Sequence, residues 1–213
     1  MVYQTEETRQ KILGVAELCF TESGFFETQM KDIAEAVGMS RNTLYRYYHN
    51  KLDLAFAIFE LAYTRLASSM LELQNEAEAS RSNALDAFMD VLEHLLTPGE
   101  HSIDERFLAE FDAYFTGARI TAPLRERISK TIDLGAYQQL VQMVEAGQTD
   151  GSIRKDISSS LLTASVVNAA RALQQRIILR GDALIEVSAE ELRQLNRVHL
   201  ELIRSGLRPP SAM

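Results

Sequence analysis

The chain has 213 residues, 46% of them hydrophobic, a formal net charge of -8 and a single cysteine, Cys19. That length and apolar fraction allow a buried core and exclude a disordered tail, and one cysteine excludes an internal disulfide or a cysteine-rich metal site. The acidic balance excludes a protein that coats polyanions by charge alone, because phosphate neutralisation needs clustered Lys and Arg. The charge is uneven, however. From Ala36 to Leu52 there is no Asp or Glu, whereas Arg41, Arg46 and Lys51 are basic. The charged start MVYQTEETRQKIL does not resemble a signal peptide, and no later stretch reads as apolar over the ~18 residues of a membrane span. A soluble, cytoplasmic chain with no membrane association is expected.

With strand signals almost missing, the expected class is all-α. The first helix runs roughly from Thr5 to Glu22, with Ile12, Ala16, Cys19 and Phe20 on one face, and Ser23-Gly24 ends it. Thr28 is the expected cap of a second helix carrying Met30, Ile33, Ala34 and Val37, which Gly38 stops. Ser40 caps a third, with Leu44 and Tyr48 turned inward. A long fourth helix starts near Asn50 and continues toward Ala77, and a fifth spans Asn83 to Leu96 before the breaker Thr97-Pro98-Gly99. Ile103 to Phe115 forms a sixth. One seventh helix is expected from Pro123 through Leu134 to Gly147, and two last helices cover about Ser158 to Leu179 and Ser188 to Ser205.

Chemistry concentrates in TQMKDIAEAVGMSRNTLYRYYHNKLDL, Thr28 to Leu54, which reads as helix, four-residue turn, helix, and at once another helix. That is helix-turn-helix geometry, in which the second helix presents side chains to base edges in a major groove while its neighbours grip phosphates. With Leu44 and Tyr48 inward, Arg41, Asn42, Thr43, Tyr45 and Arg46 project outward without a carboxylate. Arg can fork onto guanine, Asn onto adenine, and the Thr methyl can touch thymine. Tyr45 and Tyr47 are expected to donate to phosphate oxygens, and Lys51 to neutralise one.

The string FTESGFFETQMKDIAEAVGMSRNTLYRYYHNKLDL resembles the TetR family signature. The matching features are Phe20, the Gly24-Phe25 turn, Thr28, Asp32-Ile33-Ala34, the Gly38-Met39-Ser40 turn, Thr43-Leu44-Tyr45, and Tyr48, Lys51 and Leu54. Many relatives carry a small residue where Asn42 stands. The TetR/AcrR resemblance implies a three-helix DNA-binding domain at residues 1–50, a six-helix ligand-binding and dimerisation domain at 51–208, and a tail at 209–213. It implies a ligand-responsive repressor, a homodimer on a palindromic operator released by a small apolar effector, with DNA contacts at Thr28, Gln29, Lys31, Arg41, Asn42, Thr43, Tyr45, Tyr47 and Lys51.

The penultimate helix is apolar around more than half its circumference, as expected of a helix buried on two sides, and pairing of the last two helices with their twins would satisfy it. Helices five to seven supply a candidate effector site of Phe88, Phe107, Phe111, Tyr114, Tyr137 and Met143, with polar interruptions at Asn168 and Arg171, although such stripes are more often ordinary core. An enzyme is not expected. There is no Gly-rich phosphate loop and no His-Glu-x-x-His pattern, and His49, His94, His101 and His199 are scattered, so neither cofactor nor metal is called for.

Overall fold

Capping side chains fix where the helices of this chain begin. In a computed structural model, which describes residues 5–80, 83–96, 102–132 and 135–210, α1 spans Glu6–Ser23 and its first turn is closed by the Thr5 hydroxyl accepting from the Thr8 N–H at 3.2 Å. α2 (Met30–Val37) ends at Gly38, whose φ of 81° lets its N–H and that of Met39 reach the carbonyls of Glu35 and Ala34. α3 (Arg41–Tyr47) starts at Ser40, whose hydroxyl accepts from the Thr43 N–H at 3.1 Å, as the sequence led one to expect.

The remaining helices are α4 (Lys51–Ser80), α5 (Ala84–Leu96), α6 (Ser102–Tyr114), α7 (Ala122–Ile132), α8 (Ala136–Asp150), α9 (Ser159–Arg180) and α10 (Ala189–Leu207), and no strand occurs among the described residues. The all-α class stands. One helix expected from Pro123 to Gly147 is instead two, α7 and α8, because Gly135 adopts a left-handed conformation (φ 86°) that restarts the chain. Leu134, the breaker Thr97 to Gly99 and His101 lie outside the described residues.

The chain divides into two compact units, residues 1–65 with 100–131 and residues 66–99 with 132–213, and the boundary falls within α4. By this division α6 and α7 group with the first three helices. The first unit is built around rings: Phe25 lies 5.2 Å from Phe20 and 4.5 Å from Tyr114, and Phe111 stacks on Phe59 at 4.6 Å and meets Phe115 at a tilt, 4.5 Å away. Its α4 face, Leu54, Ala55, Phe56, Ile58, Phe59 and Ala62, is buried. This corrects one expectation, since residues 51–73 are long and apolar enough to cross a membrane by length and composition. The part from Leu54 to Ala62 is used in that core packing, and Arg65 within the same stretch is ion-paired to Glu17 and Asp104.

The second unit packs Phe88, Met89 and Leu92 of α5 against Leu140, Met143 and Val144 of α8, with Leu162 of α9 and Leu207 of α10. The turn after α8 also caps α5: the Asp150 carboxylate accepts from the Ala84 N–H at 2.9 Å and the Ser152 hydroxyl from the Leu85 N–H at 3.2 Å. Facing that turn from the last turn of α8, Gly147 is buried, and its carbonyl accepts from the Ile153 N–H at 2.8 Å. A Cβ on Gly147 would stand 2.5 Å from Ile153 Cδ1 and 3.1 Å from its Cβ. Gly147→Ala should therefore destabilise the protein by about 1–3 kcal/mol through overpacking, despite alanine's better helix propensity. Urea unfolding measures this, and adding Ile153→Val should return part of the loss.

Candidate nucleic-acid interface

The side chains that could meet DNA are set by the periodicity of two short helices. In α3, Leu44, Tyr47 and Tyr48 are buried, and positions three and four apart share one face. Arg41, Asn42 and Arg46 are left exposed, with Thr43 and Tyr45 half-buried. The Arg41 guanidinium lies 5.3 Å over the Tyr45 ring and donates to its hydroxyl at 3.1 Å, so the two form one unit along the helix. The Thr43 hydroxyl is 2.8 Å from that of Ser40.

Tyr47, expected from the sequence to donate to a phosphate oxygen, is placed differently. It is 8% exposed, the Arg9 guanidinium of α1 lies 5.7 Å over its ring, and its hydroxyl oxygen is buried with no hydrogen-bond partner among the described residues. The cause is its spacing of three residues from Leu44, which puts both on the inner face. Tyr48 packs beside it, and burial pushes its phenol pKa up.

Thr28 is also buried. Its hydroxyl donates to the carbonyls of Gly24 at 2.8 Å and Cys19 at 3.0 Å, which ties the α1–α2 loop to the end of α1. It is not the cap of α2, as the sequence led one to expect. Gln29 occupies that position, and its N–H donates to the Asp32 carboxylate at 3.0 Å. Gln29 and Lys31 are exposed on the first turn of α2.

A groove of about 240 Å³ runs between these parts, lined by Thr28, Gln29, Met30, Lys31, Arg41, Tyr45 and Lys51. It joins the first turn of α2 to the first turn of α3. At its edge the Lys51 ammonium, on the first residue of α4, donates to the carbonyls of Phe25 (2.7 Å), Thr28 (2.9 Å) and Phe26 (3.2 Å) and lies 4.6 Å over the Phe25 ring. Partial burial lowers its pKa from the ordinary lysine value.

The candidate effector residues fall in two cores. Phe107, Phe111 and Tyr114 of α6 belong to the ring cluster of the first unit, and Phe107 and Phe111 are 1% exposed. Phe88 and Met143 are buried in the second unit, with Tyr137 half-buried on α8. Asn168 and Arg171 are exposed on α9, and the Asn168 amide donates to the Ala164 carbonyl at 2.7 Å.

Sequence reading missed a buried ion cluster in the first unit. Arg65 of α4 donates through Nη2 to both Glu17 oxygens of α1 at 2.7 and 3.0 Å, and through Nε to Asp104 Oδ2 of α6 at 3.0 Å, with a further bond from Nη2 to Asp104 Oδ1. Glu17 and Asp104 are buried. Burial, with Asp104 as hydrogen-bonding neighbour, raises the Glu17 pKa from 4.5 to about 7, against the pull of Arg65. A signal existed. Glu17 sits four residues after Leu13 and three before Phe20, on the apolar face of its helix.

Comparison with known proteins agrees with this geometry. The family described as "Bacterial regulatory proteins, tetR family" matches residues 12–58. The HTH-type transcriptional regulator AcrR of Shigella flexneri is 26% identical over 181 residues, 84% of this chain and 75% of that protein. The HTH-type transcriptional repressor KstR2 of Rhodococcus jostii is 24% identical over 204 residues, 95% of this chain and 92% of that protein. In fold, the chain superimposes on a transcriptional regulator from Saccharomonospora viridis, solved in complex with choline, with a TM-score of 0.69, 20% identity, and coverage of 92% and 97% of the two chains. The helix-turn-helix at residues 28–54 falls inside the family match at 12–58, and with the whole-chain likeness the findings converge: residues 12–58 are a DNA-binding domain of the TetR family, and the chain as a whole is similar to TetR/AcrR-type transcriptional regulators.

Proposed function

We propose that the chain is a repressor that acts as a homodimer on a palindromic operator and is released by a small apolar effector, in the bacterial cytoplasm. The observation that carries the reading is the exposed face of α3, where Arg41, Asn42 and Arg46 stand with Tyr45 and no carboxylate. Its DNA contacts are Gln29 and Lys31 of α2 and Arg41, Asn42, Thr43 and Tyr45 of α3. Repression follows the KstR2 relative, and effector response follows the choline-bound neighbour, whose ligand is not carried over. The effector would be received among the apolar side chains of the second unit, around Phe88, Tyr137 and Met143, and would act by preferring a conformer that fits the two half-sites poorly.

Dimerisation is supported by the apolar residues that the single chain leaves uncovered on its last two helices. Leu161 of α9 is 59% exposed, and Leu202 and Val198 of α10 are 66% and 44% exposed. A footprint on the DNA upstream of the gene should show two protected half-sites related by a dyad, about 34 Å or a multiple apart. Leu202→Arg should give a folded monomer by sedimentation and weaken binding by about 10²-fold or more, because the second half-site is no longer engaged intramolecularly. A dyadless footprint bound with full affinity by a monomer would contradict the reading.

A further inference from the structure

Lys51 lies at the edge of the groove that would face DNA, yet its ammonium is already fully engaged. A lysine ammonium has three N–H donors, and the carbonyls of Phe25, Phe26 and Thr28 are all within 3.2 Å of it. These carbonyls close the loop that delivers the chain to Gln29, the cap of α2, and the ring of Phe25 covers the same ammonium. A phosphate oxygen could bond to Lys51 only by displacing one of the three: the exposed Phe26 carbonyl would turn to water, at the cost of loosening the tether, whereas the part-buried Phe25 or Thr28 carbonyl would lose its partner.

We propose that Lys51 is a positioning residue for DNA binding: it pins the first turn of α2 to the start of α4, so that Gln29 and Lys31 meet DNA in the right place, and does not itself neutralise a phosphate. This rests on α2 and α3 being the DNA-contacting surface. Two variants separate the roles. Lys51→Met removes the tether and the charge together. Lys51→Arg keeps the charge and a fork well suited to phosphate, but a planar guanidinium cannot converge on three carbonyls as an ammonium does.

The test measures binding to the DNA upstream of the gene by fluorescence anisotropy across a salt series, with folding of each variant checked by circular dichroism. Both variants should bind about tenfold more weakly than wild type, a loss the size of one contact group, with the slope of log K against log salt unchanged. A slope that falls by about 0.9 in Lys51→Met, one phosphate fewer, or wild-type affinity in Lys51→Arg, would overturn the proposal. A second arm needs neither variants nor DNA. In wild-type protein alone, a protected Lys51 ammonium signal in 1H–15N spectra is expected, and rapid exchange of those protons with water would overturn the tether even if no DNA were bound.

Discussion

Arg65→Met should destabilise the protein by about 3 kcal/mol, the low end of what removing one partner of a buried ion pair costs. Arg65 keeps two carboxylates in place from two other helices, and their side chains are only 8% and 7% exposed, whereas its own is 36% exposed. Methionine preserves the aliphatic stem and removes every donor, so Glu17 and Asp104 are left facing each other without a cation. Part of the cost is relieved by protonation of one carboxyl, and the exposure of Arg65 admits water, which keeps the loss at that low end. Chemical unfolding at pH 7 gives the number directly. Adding Glu17→Gln to Arg65→Met should recover a large share of it, because the second variant removes the charge that the first strands.

The same cluster gives stability a pH dependence of unusual sign. Glu17 titrates at about 7 in the folded protein and near 4.5 when solvated. A raised carboxyl pKa means that the folded state holds its proton more tightly than the unfolded state does. Stability from this group is therefore fully present below pH 4.5 and is lost as pH rises through 7. Over that window the loss is up to about 3 kcal/mol, from a shift of this size at 1.36 kcal/mol per unit. Glu17→Gln mimics the protonated form, so it should be more stable than wild type at pH 8 and nearly equal to it at pH 5. Melting curves at the two values check this, and a wild type that gains stability from pH 5 to 8 relative to Glu17→Gln would contradict it.

The sequence disclosed most of the helical layout because the apolar stripes and stops are local: Ile33, Ala34 and Val37 before Gly38, and Ser40 three residues ahead of Thr43, are read without knowing the fold. The break at Gly135 was hidden, since a lone glycine between helix-forming residues is compatible with continuation, and only its left-handed backbone marks the stop. In the interface, Arg41, Asn42, Gln29 and Lys31 are exposed where the pattern put them. Tyr47 and Thr28 turn inward for reasons partly legible, a spacing of three from Leu44 in one case and carbonyls nine and four residues back in the other. The three carbonyls under Lys51 and the meeting of Glu17, Arg65 and Asp104 from three helices are tertiary facts. No single-chain periodicity encodes them. The aromatic residues of α6 show the same limit, because a stripe of Phe107, Phe111 and Tyr114 reads alike whether it lines a cavity or packs against Phe20, Phe25 and Phe59.

If the carboxylate-free face of α3 reads DNA, fluorescence anisotropy of wild type, Arg41→Ala and Tyr45→Ala on the DNA upstream of the gene, at two salt concentrations, will show it. Wild type should bind tightly and lose affinity as salt rises, and Arg41→Ala should cost about 1–3 kcal/mol, with Tyr45→Ala also weaker because Arg41 loses the ring and hydroxyl that hold it. Wild-type binding no better than to random DNA, or substitutions at both positions that leave affinity unchanged, would contradict it.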